Sequence, residues 1–154
     1  MKQRMLRILC ILMCFALLIA IPVQAEEISP RASKYIGGYG GSLHKTTGDN
    51  FEIRYSVYSG EDLDQIGVFM IQLTKSTDQV TWYREAVFYS SDYPDLMAEN
   101  DFTHSGHITY TGQSGYYYRA NITFYGCLDG DSERFSMYTN TIYIPYSQGG
   151  RVAE

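Results

Sequence analysis

Cysteine is scarce in this sequence, and its scarcity excludes one way of holding a small domain together. The chain of 154 residues has three cysteines, of which Cys10 and Cys14 lie in an apolar stretch near the N-terminus. Removal of that stretch would leave only Cys127, so no disulfide could form within the remaining chain. Cys127 is then either a buried small hydrophobic residue, which is the commoner fate, or a free thiol that joins two chains. The fold must therefore be held by its core alone.

Residues that could form a catalytic or metal-binding group are also sparse. His44, His104 and His107 are the three histidines of the chain. The enzymatic alternative is a secreted hydrolase that uses His104, Ser105 and His107, but neither a nucleophile elbow nor an orienting acid accompanies them. The acidic turns 60–64 and 129–133 are alternative weak calcium sites, although neither matches the EF-hand pattern. We therefore predict no catalytic residue, no metal and no cofactor.

The N-terminus has the three parts of a secretory signal peptide. Lys2, Arg4 and Arg7 precede an uncharged apolar run over 8–21, and Val23-Gln24-Ala25 supplies a cleavage site. A membrane anchor is the alternative, but at about 1.5 Å per residue this run is too short for a hydrocarbon core of about 30 Å. We predict cleavage after Ala25 and release from the cell.

Basic residues are also scarce relative to acidic residues. The chain has a net charge of −5, and loss of the three basic residues before Ala25 leaves nine basic against 17 acidic residues, a net charge of −8. Nucleic acid and anionic membranes both require a cationic face, so neither is expected as a partner of the mature chain. The predicted partner is an extracellular protein or glycan, and the oligomeric state stays open.

A helical apolar period is absent after Ser33, whereas alternation of apolar and polar residues recurs between turn clusters. In the clearest strand, 51–57, the odd positions face the core and the even positions face solvent. The segment 118–124 repeats this pattern with Tyr118, Ala120, Ile122 and Phe124 inward and is predicted to be a central strand. The remaining predicted strands are 37–44, 66–73 with a bulge near Phe69-Met70, 80–88 after a turn at 75–79, 108–111 and 135–144.

Together these segments predict an all-β domain over 37–146, an antiparallel β-sandwich of about seven strands. The segment Ser90 to His104 lacks alternation and is predicted to be a crossing loop or a single helical turn. Residues 26–36 and 147–154 are predicted to be flexible ends.

Tyr118 enters its strand after the glycine-bearing turn Gly112-Gln-Ser-Gly115. This arrangement resembles the tyrosine corner of immunoglobulin-like and fibronectin type III sandwiches, in which a buried tyrosine ring satisfies an upstream backbone group through its hydroxyl. The resemblance implies that architecture and a structural role for Tyr118. The paired cysteines of true immunoglobulin domains are missing, so only the architecture carries over.

A second resemblance covers most of the mature chain. It rests on five segments: Arg31-Ala-Ser-Lys-Tyr35, Asp64-Gln-Ile-Gly67, Ser91-Asp-Tyr-Pro94 with Leu96-Met97, Gly112 to Tyr118, and Thr139-Asn-Thr141. As a set they resemble a family of small secreted proteins of clostridia and related Gram-positive bacteria, for which no function is assigned. The resemblance implies the compartment, the lineage and a β-sandwich, but no catalytic or binding residue.

Tyrosine is the compositional surplus, with 15 residues, all beyond Ala25. Tyr58, Tyr117 and Tyr125 fall on the outward phase of the predicted strands, the last two beside Arg119. These four residues are the predicted binding site, because exposed tyrosines offer contact area at low entropic cost. Cross-strand ring packing is the alternative. We predict a secreted, non-catalytic interaction module; a bacteriocin-like antagonist is a further alternative to the enzyme.

Overall fold

The computed structural model describes residues 33–146. The predicted signal peptide at 1–25, the greater part of the predicted flexible segment 26–36, and the predicted tail 147–154 lie outside these residues. Within 33–146, no helix combines the length and the apolar character needed to span a membrane.

The described residues form an all-β fold, as predicted, in which every strand pairing is antiparallel. The only helical element among them is a single 3-10 turn at Pro94–Leu96, before the fourth strand. The strands are β1 (Ile36–Lys45), β2 (Asn50–Ser76), β3 (Tyr83–Tyr89), β4 (Met97–Thr111), β5 (Tyr116–Leu128), β6 (Asp131–Tyr138) and β7 (Ile142–Ile144).

Strand β2 organises the sheet, because it pairs with four other strands. Its first half lies between β1 and β4, and its second half lies between β5 and β3. The register against β4 shifts between Tyr58 and Leu63, where extra residues on one strand bend it. The narrow wing of the sheet is β1 with residues 50–58 of β2 and 103–111 of β4. The broad wing is residues 65–76 of β2 with β3, β5, β6 and β7.

The two wings curl toward each other over one apolar core. The ring of Phe51 in the narrow wing lies 5.1 Å from the ring of Tyr118 in the broad wing, and Tyr39 lies 5.0 Å from Phe124. The predicted inward residues of both clear strands are buried: Phe51, Ile53, Tyr55, Val57, Tyr118, Ala120, Ile122 and Phe124. Burial of these rings and branched chains from water is the main stabilising contribution.

The segment predicted as a bulged strand at 66–73 is the second half of β2. Its register against β5 shifts between Val68 and Met70, which confirms the predicted bulge at Phe69-Met70. Strand β5 lies between β2 and the β6 and β7 strands, so its predicted central position is also confirmed.

Four predicted boundaries were wrong. The strands predicted at 51–57 and 66–73 are one continuous strand, β2, so the predicted acidic turn 60–64 lies within it. The predicted loop Ser90 to His104 contains the single helical turn, but β4 already begins at Met97. None of its residues 97–104 is buried, so the strand gives no apolar alternation. The predicted strand 80–88 begins at Tyr83 because the preceding turn is longer, and the predicted strand 135–144 is divided into β6 and β7.

The division between β6 and β7 places Asn140 against the outer edge of β1. Its side-chain amide donates to the Leu43 carbonyl at 3.0 Å and accepts from the Leu43 N–H at 2.8 Å. A side chain thereby pairs with backbone groups that an edge strand would otherwise leave open.

The acidic hairpin 129–133 holds the start of the described chain. Glu133 accepts hydrogen bonds from the backbone N–H groups of Lys34, Tyr35 and Ile36 at 2.6–2.9 Å. Asp131 accepts from Lys34 Nζ at 2.6 Å and from the Tyr35 hydroxyl at 3.1 Å. Residues 33–36, which belong to the segment predicted to be flexible, are therefore tied to β6.

This attachment should loosen in acid. Burial opposes ionisation of Glu133, but hydrogen bonds from Ser33 and three backbone N–H groups outweigh it and hold the pKa below its ordinary value of 4.5. The carboxylate therefore stabilises the fold above pH 4.5, and this contribution is lost as the pH falls through the folded pKa. We expect the backbone resonances of 34–36 to become mobile as the pH falls below 4.5, measured by NMR relaxation.

The matched control is Glu133→Gln, which removes the titrating group. It should leave residues 34–36 loosened already at pH 7, and the only further change on acidification should be the one that protonation of Asp131 causes at Lys34 and Tyr35. Rigid 34–36 in this variant at pH 7 would contradict the role assigned to Glu133.

Candidate recognition face

The outer face of the broad wing combines exposed and half-buried aromatic rings with arginines. Residues with odd numbers in β5 point outward, and cross-strand pairing places Tyr138 beside Asn121, Arg134 beside Tyr125, and Tyr143 beside Tyr117. We call this surface the aromatic–arginine face. Its members are Phe69, Trp82, Tyr117, Arg119, Tyr125, Arg134, Tyr138 and Tyr143.

Arg119 is the centre of one stack on this face. Its guanidinium carbon lies 4.0 Å from the ring centroid of Trp82 and 4.7 Å from that of Tyr138. Both distances are within the range of a cation–π interaction. Among the described residues, Arg119 forms no ion pair, and its buried Nε atom has no hydrogen-bond partner. Stacking therefore holds the guanidinium and leaves its outer N–H groups for a partner.

A second stack lies at the other end of the face. The guanidinium carbon of Arg134 lies 3.7 Å from the ring centroid of Phe69 and 5.4 Å from that of Tyr125. Burial raises the pKa of the Tyr125 hydroxyl, so this ring is neutral at physiological pH. Tyr117 and Tyr143 pack against each other with centroids 4.7 Å apart. The face is thus an array of cross-strand pairs.

The turn between β2 and β3 positions Trp82. The Asp78 carboxylate accepts hydrogen bonds from the backbone N–H groups of Val80 and Thr81 at 2.9 and 2.8 Å. The buried Ser76 hydroxyl accepts from the N–H groups of Asp78 and Gln79. The indole N–H of Trp82 then donates to the Gln79 carbonyl at 3.0 Å. Side-chain acceptors within the turn therefore fix the ring that covers Arg119.

Asp78→Ala is expected to free Trp82 without unfolding the domain. Hydrogen bonds from the Thr81 and Val80 N–H groups lower the Asp78 pKa, which shows that the ionised carboxylate is favoured in the folded turn. Removal of the carboxylate leaves those N–H groups to water, so the turn loses its fixed shape. We expect lower fluorescence anisotropy of Trp82 in the variant; Asp92→Ala is the control. Equal anisotropy in parent and Asp78→Ala would contradict this role.

The structure brings together only part of the predicted binding site. Tyr117, Arg119 and Tyr125 lie on the aromatic–arginine face, whereas Tyr58 lies on the outer face of the narrow wing. The outward orientation of these side chains was predicted correctly, but the bend in β2 separates Tyr58 from the other three residues.

Five members of the face were not among the predicted binding residues: Phe69, Trp82, Arg134, Tyr138 and Tyr143. Tyr138 and Arg134 share the outward phase of β6, and the short hairpin at Asp129-Gly130 fixes their register against β5. That hairpin register was the available signal. Trp82 lies in a turn and Phe69 in a bulge, where alternation of apolar and polar residues does not indicate which face of the sheet a side chain occupies.

Tyr118 is the residue for which the sequence predicted the role of a corner tyrosine. Its side chain is fully buried, and its hydroxyl accepts a hydrogen bond of 2.7 Å from the backbone N–H of Gln113. Burial raises the pKa of this hydroxyl, so it remains a neutral acceptor. The ring packs against Phe51 and lies 6.5 Å from the ring of Tyr110.

The histidines of the enzymatic alternative are divided between two faces of β4. His104 faces the core side, 5.7 Å from the Tyr55 ring, and its Nε2 lies 2.9 Å from the Asp95 carbonyl oxygen. Ser105 and His107 line the outer face of the narrow wing. Cys127 is half-buried on the outward phase of β5. Within 33–146, no group of three His, Cys, Asp or Glu residues is arranged to hold a metal ion.

Comparison with known proteins gives one distant structural similarity. No protein-family model matches the chain, and no curated protein matches it. A solved family 76 glycoside hydrolase from a bovine Bacteroides thetaiotaomicron strain is similar with a TM-score of 0.34 and 15% sequence identity. The match covers 71% of this chain and 20% of that chain. A TM-score this low carries no argument about fold or function, so the clostridial and immunoglobulin-like resemblances stay predictions.

Proposed function

We propose that this protein is a secreted, non-catalytic interaction module that binds a protein partner outside the cell through its aromatic–arginine face. The signal-peptide pattern at 1–25 supports secretion. The observation that carries the proposal is the stack of Arg119 between Trp82 and Tyr138 on an open sheet face. Tryptophan, tyrosine and arginine are the residues enriched at the energetic centres of protein interfaces.

We also propose that the curled sheet is an immunoglobulin-like or fibronectin type III-like sandwich. Two features support this finer description. The two wings face each other over one core, and the buried Tyr118 hydroxyl binds a backbone group five residues upstream.

The charges on the face favour an acidic segment of the partner. Lys34, Arg54 and Lys75 each form an ion pair with an acidic residue of the domain, whereas Arg119 and Arg134 form none among the described residues. A cation held by ring stacking keeps its hydrogen-bonding edge for a carboxylate. Binding should therefore weaken as the salt concentration rises.

Capture from culture medium and from cell-surface extract by the immobilised protein tests this function. We expect a captured protein that is released by salt and is lost when Tyr138→Ala replaces the parent. Phe102→Ala is the matched control, because Phe102 is 54% exposed and Tyr138 57% exposed, but Phe102 lies outside the face.

Three results would contradict the proposal. The first is capture that Tyr138→Ala leaves unchanged, and the second is equal loss of capture in Phe102→Ala. The third is capture of protein-free cell-wall polysaccharide in place of a protein, lost in Tyr138→Ala, which would make the face a glycan site.

A further inference from the structure

A shallow trough crosses the outer face of the narrow wing, on the opposite side of the molecule's core from the aromatic–arginine face. Gly40, Ser56 and Ser105 are direct cross-strand neighbours in its floor. Three small residues side by side leave a gap between taller rows of side chains. The resulting cavity has a volume of about 630 Å³ and is open to solvent.

One wall of the trough is polar. The next row of the sheet consists of Ser42, Arg54 and His107, again as direct cross-strand neighbours. Glu52 accepts hydrogen bonds from Arg54, with Nε and Nη2 each 2.8 Å from the same carboxylate oxygen. The Arg54 hydrogen bond lowers the Glu52 pKa, so the pair is ionised at neutral pH. The formal charges of this wall therefore cancel.

The row of the sheet on the other side of the floor consists of Gly38, Tyr58 and Thr103, and it carries an aromatic ring that lies beside the cavity and does not line it. Tyr58 is 55% exposed and follows Ser56 on the same face of β2. Its ring lies directly on the β1 backbone, since a Cβ atom added at Gly38 would lie 2.5 Å from the ring. Glycine at this position permits the close approach and leaves one ring face toward solvent.

These features fit a neutral saccharide better than an anion. Serine hydroxyls, a carboxylate and a guanidinium offer both donors and acceptors to sugar hydroxyls. An aromatic ring beside them offers a surface for the C–H groups of a sugar ring. A phosphate or carboxylate ligand would meet the negative charge of Glu52 beside Arg54.

We infer that the trough is a binding site for one neutral sugar unit, with Arg54, Glu52 and the floor serines as hydrogen-bonding groups and Tyr58 as the stacking ring. The site is separate from the aromatic–arginine face and does not depend on the proposed function. It assigns a role to Tyr58, which the bend in β2 removes from the other predicted binding residues.

An NMR titration of the isotope-labelled protein tests this site. The probes are the methyl glycosides of glucose, galactose, mannose and N-acetylglucosamine, each up to about 50 mM, because one sugar unit on an open surface binds with millimolar affinity at best. We expect at least one glycoside to give saturable shifts in the backbone resonances of Ser42, Arg54, Ser56 and Ser105. Inorganic phosphate should not give them.

Ser56→Leu fills the floor of the trough without touching the core and should weaken sugar binding about tenfold or more. Thr123→Leu is the same kind of change on the broad wing and should leave binding intact. The proposal is overturned if no glycoside shifts the trough resonances, if Ser56→Leu binds as the parent does, or if phosphate binds in place of sugar. Tyr138→Ala should leave the titration unchanged, so this proposal and the proposed function fail separately.

Discussion

Replacement of Tyr118 by alanine is expected to lower the free energy of unfolding by about 3–5 kcal/mol, the largest loss predicted for a single side chain of this domain. The ring is fully buried between the wings and contacts Phe51 across the core. Its removal leaves a cavity that branched neighbours on a rigid sheet cannot fill. Chemical denaturation of parent and variant measures the difference.

Tyr118→Phe separates the contribution of the hydroxyl to stability from that of the ring. This variant keeps the packing but leaves the Gln113 N–H without its acceptor. Because Gln113 is exposed and water can replace part of the bond, we expect a loss of about 1 kcal/mol. Tyr117→Ala is the control for removal of a neighbouring tyrosine from the outer face. If Tyr118→Ala lowers the free energy of unfolding no more than Tyr117→Ala does, the role assigned to Tyr118 in packing the two wings together is contradicted.

Replacement of Arg119 by alanine is expected to reduce partner binding at least about tenfold while the fold is retained. The side chain is half-buried and forms no ion pair among residues 33–146, so its loss removes little that holds the domain together. It does remove the cation that Trp82 and Tyr138 hold at the centre of the face. Binding isotherms with the captured partner measure the change.

Two variants refine this prediction. Arg119→Lys keeps the charge but not the planar stack, so we expect binding between that of the parent and that of Arg119→Ala. Lys45→Ala removes an equal charge from an exposed position at the end of β1 and should bind as the parent does. If Arg119→Ala and Lys45→Ala weaken binding equally, the effect is one of net charge, and the face is not the site.

The sequence was sufficient to predict strands whose two faces differ strongly. In 51–57 and 118–124 every inward residue is buried, and the slip of phase near Phe69 correctly predicted a bulge. Alternation carries this information because side chains one residue apart point to opposite faces of a strand.

Features that depend on the path of the chain were not predictable in this way. No residue in the first half of β4 is fully buried, so this segment gave no pattern. The predicted turn residues 60–64 mark the bend after Tyr58 but do not indicate its direction. This bend decides which outward residues share a face. The predicted group of Tyr58, Tyr117, Arg119 and Tyr125 was therefore only partly brought together, and Trp82 was missed because a turn positions it.

The most direct measurement of the central claim is the fluorescence of Trp82 during titration with the captured partner. Trp82 is the single tryptophan of the chain, and it covers Arg119 at the centre of the aromatic–arginine face. A partner without tryptophan, or one labelled with a tryptophan analogue of different emission, leaves this signal unobscured. Saturable quenching or a spectral shift at the same partner concentration as binding is the expected result. Unchanged Trp82 emission at full occupancy would contradict recognition through this face.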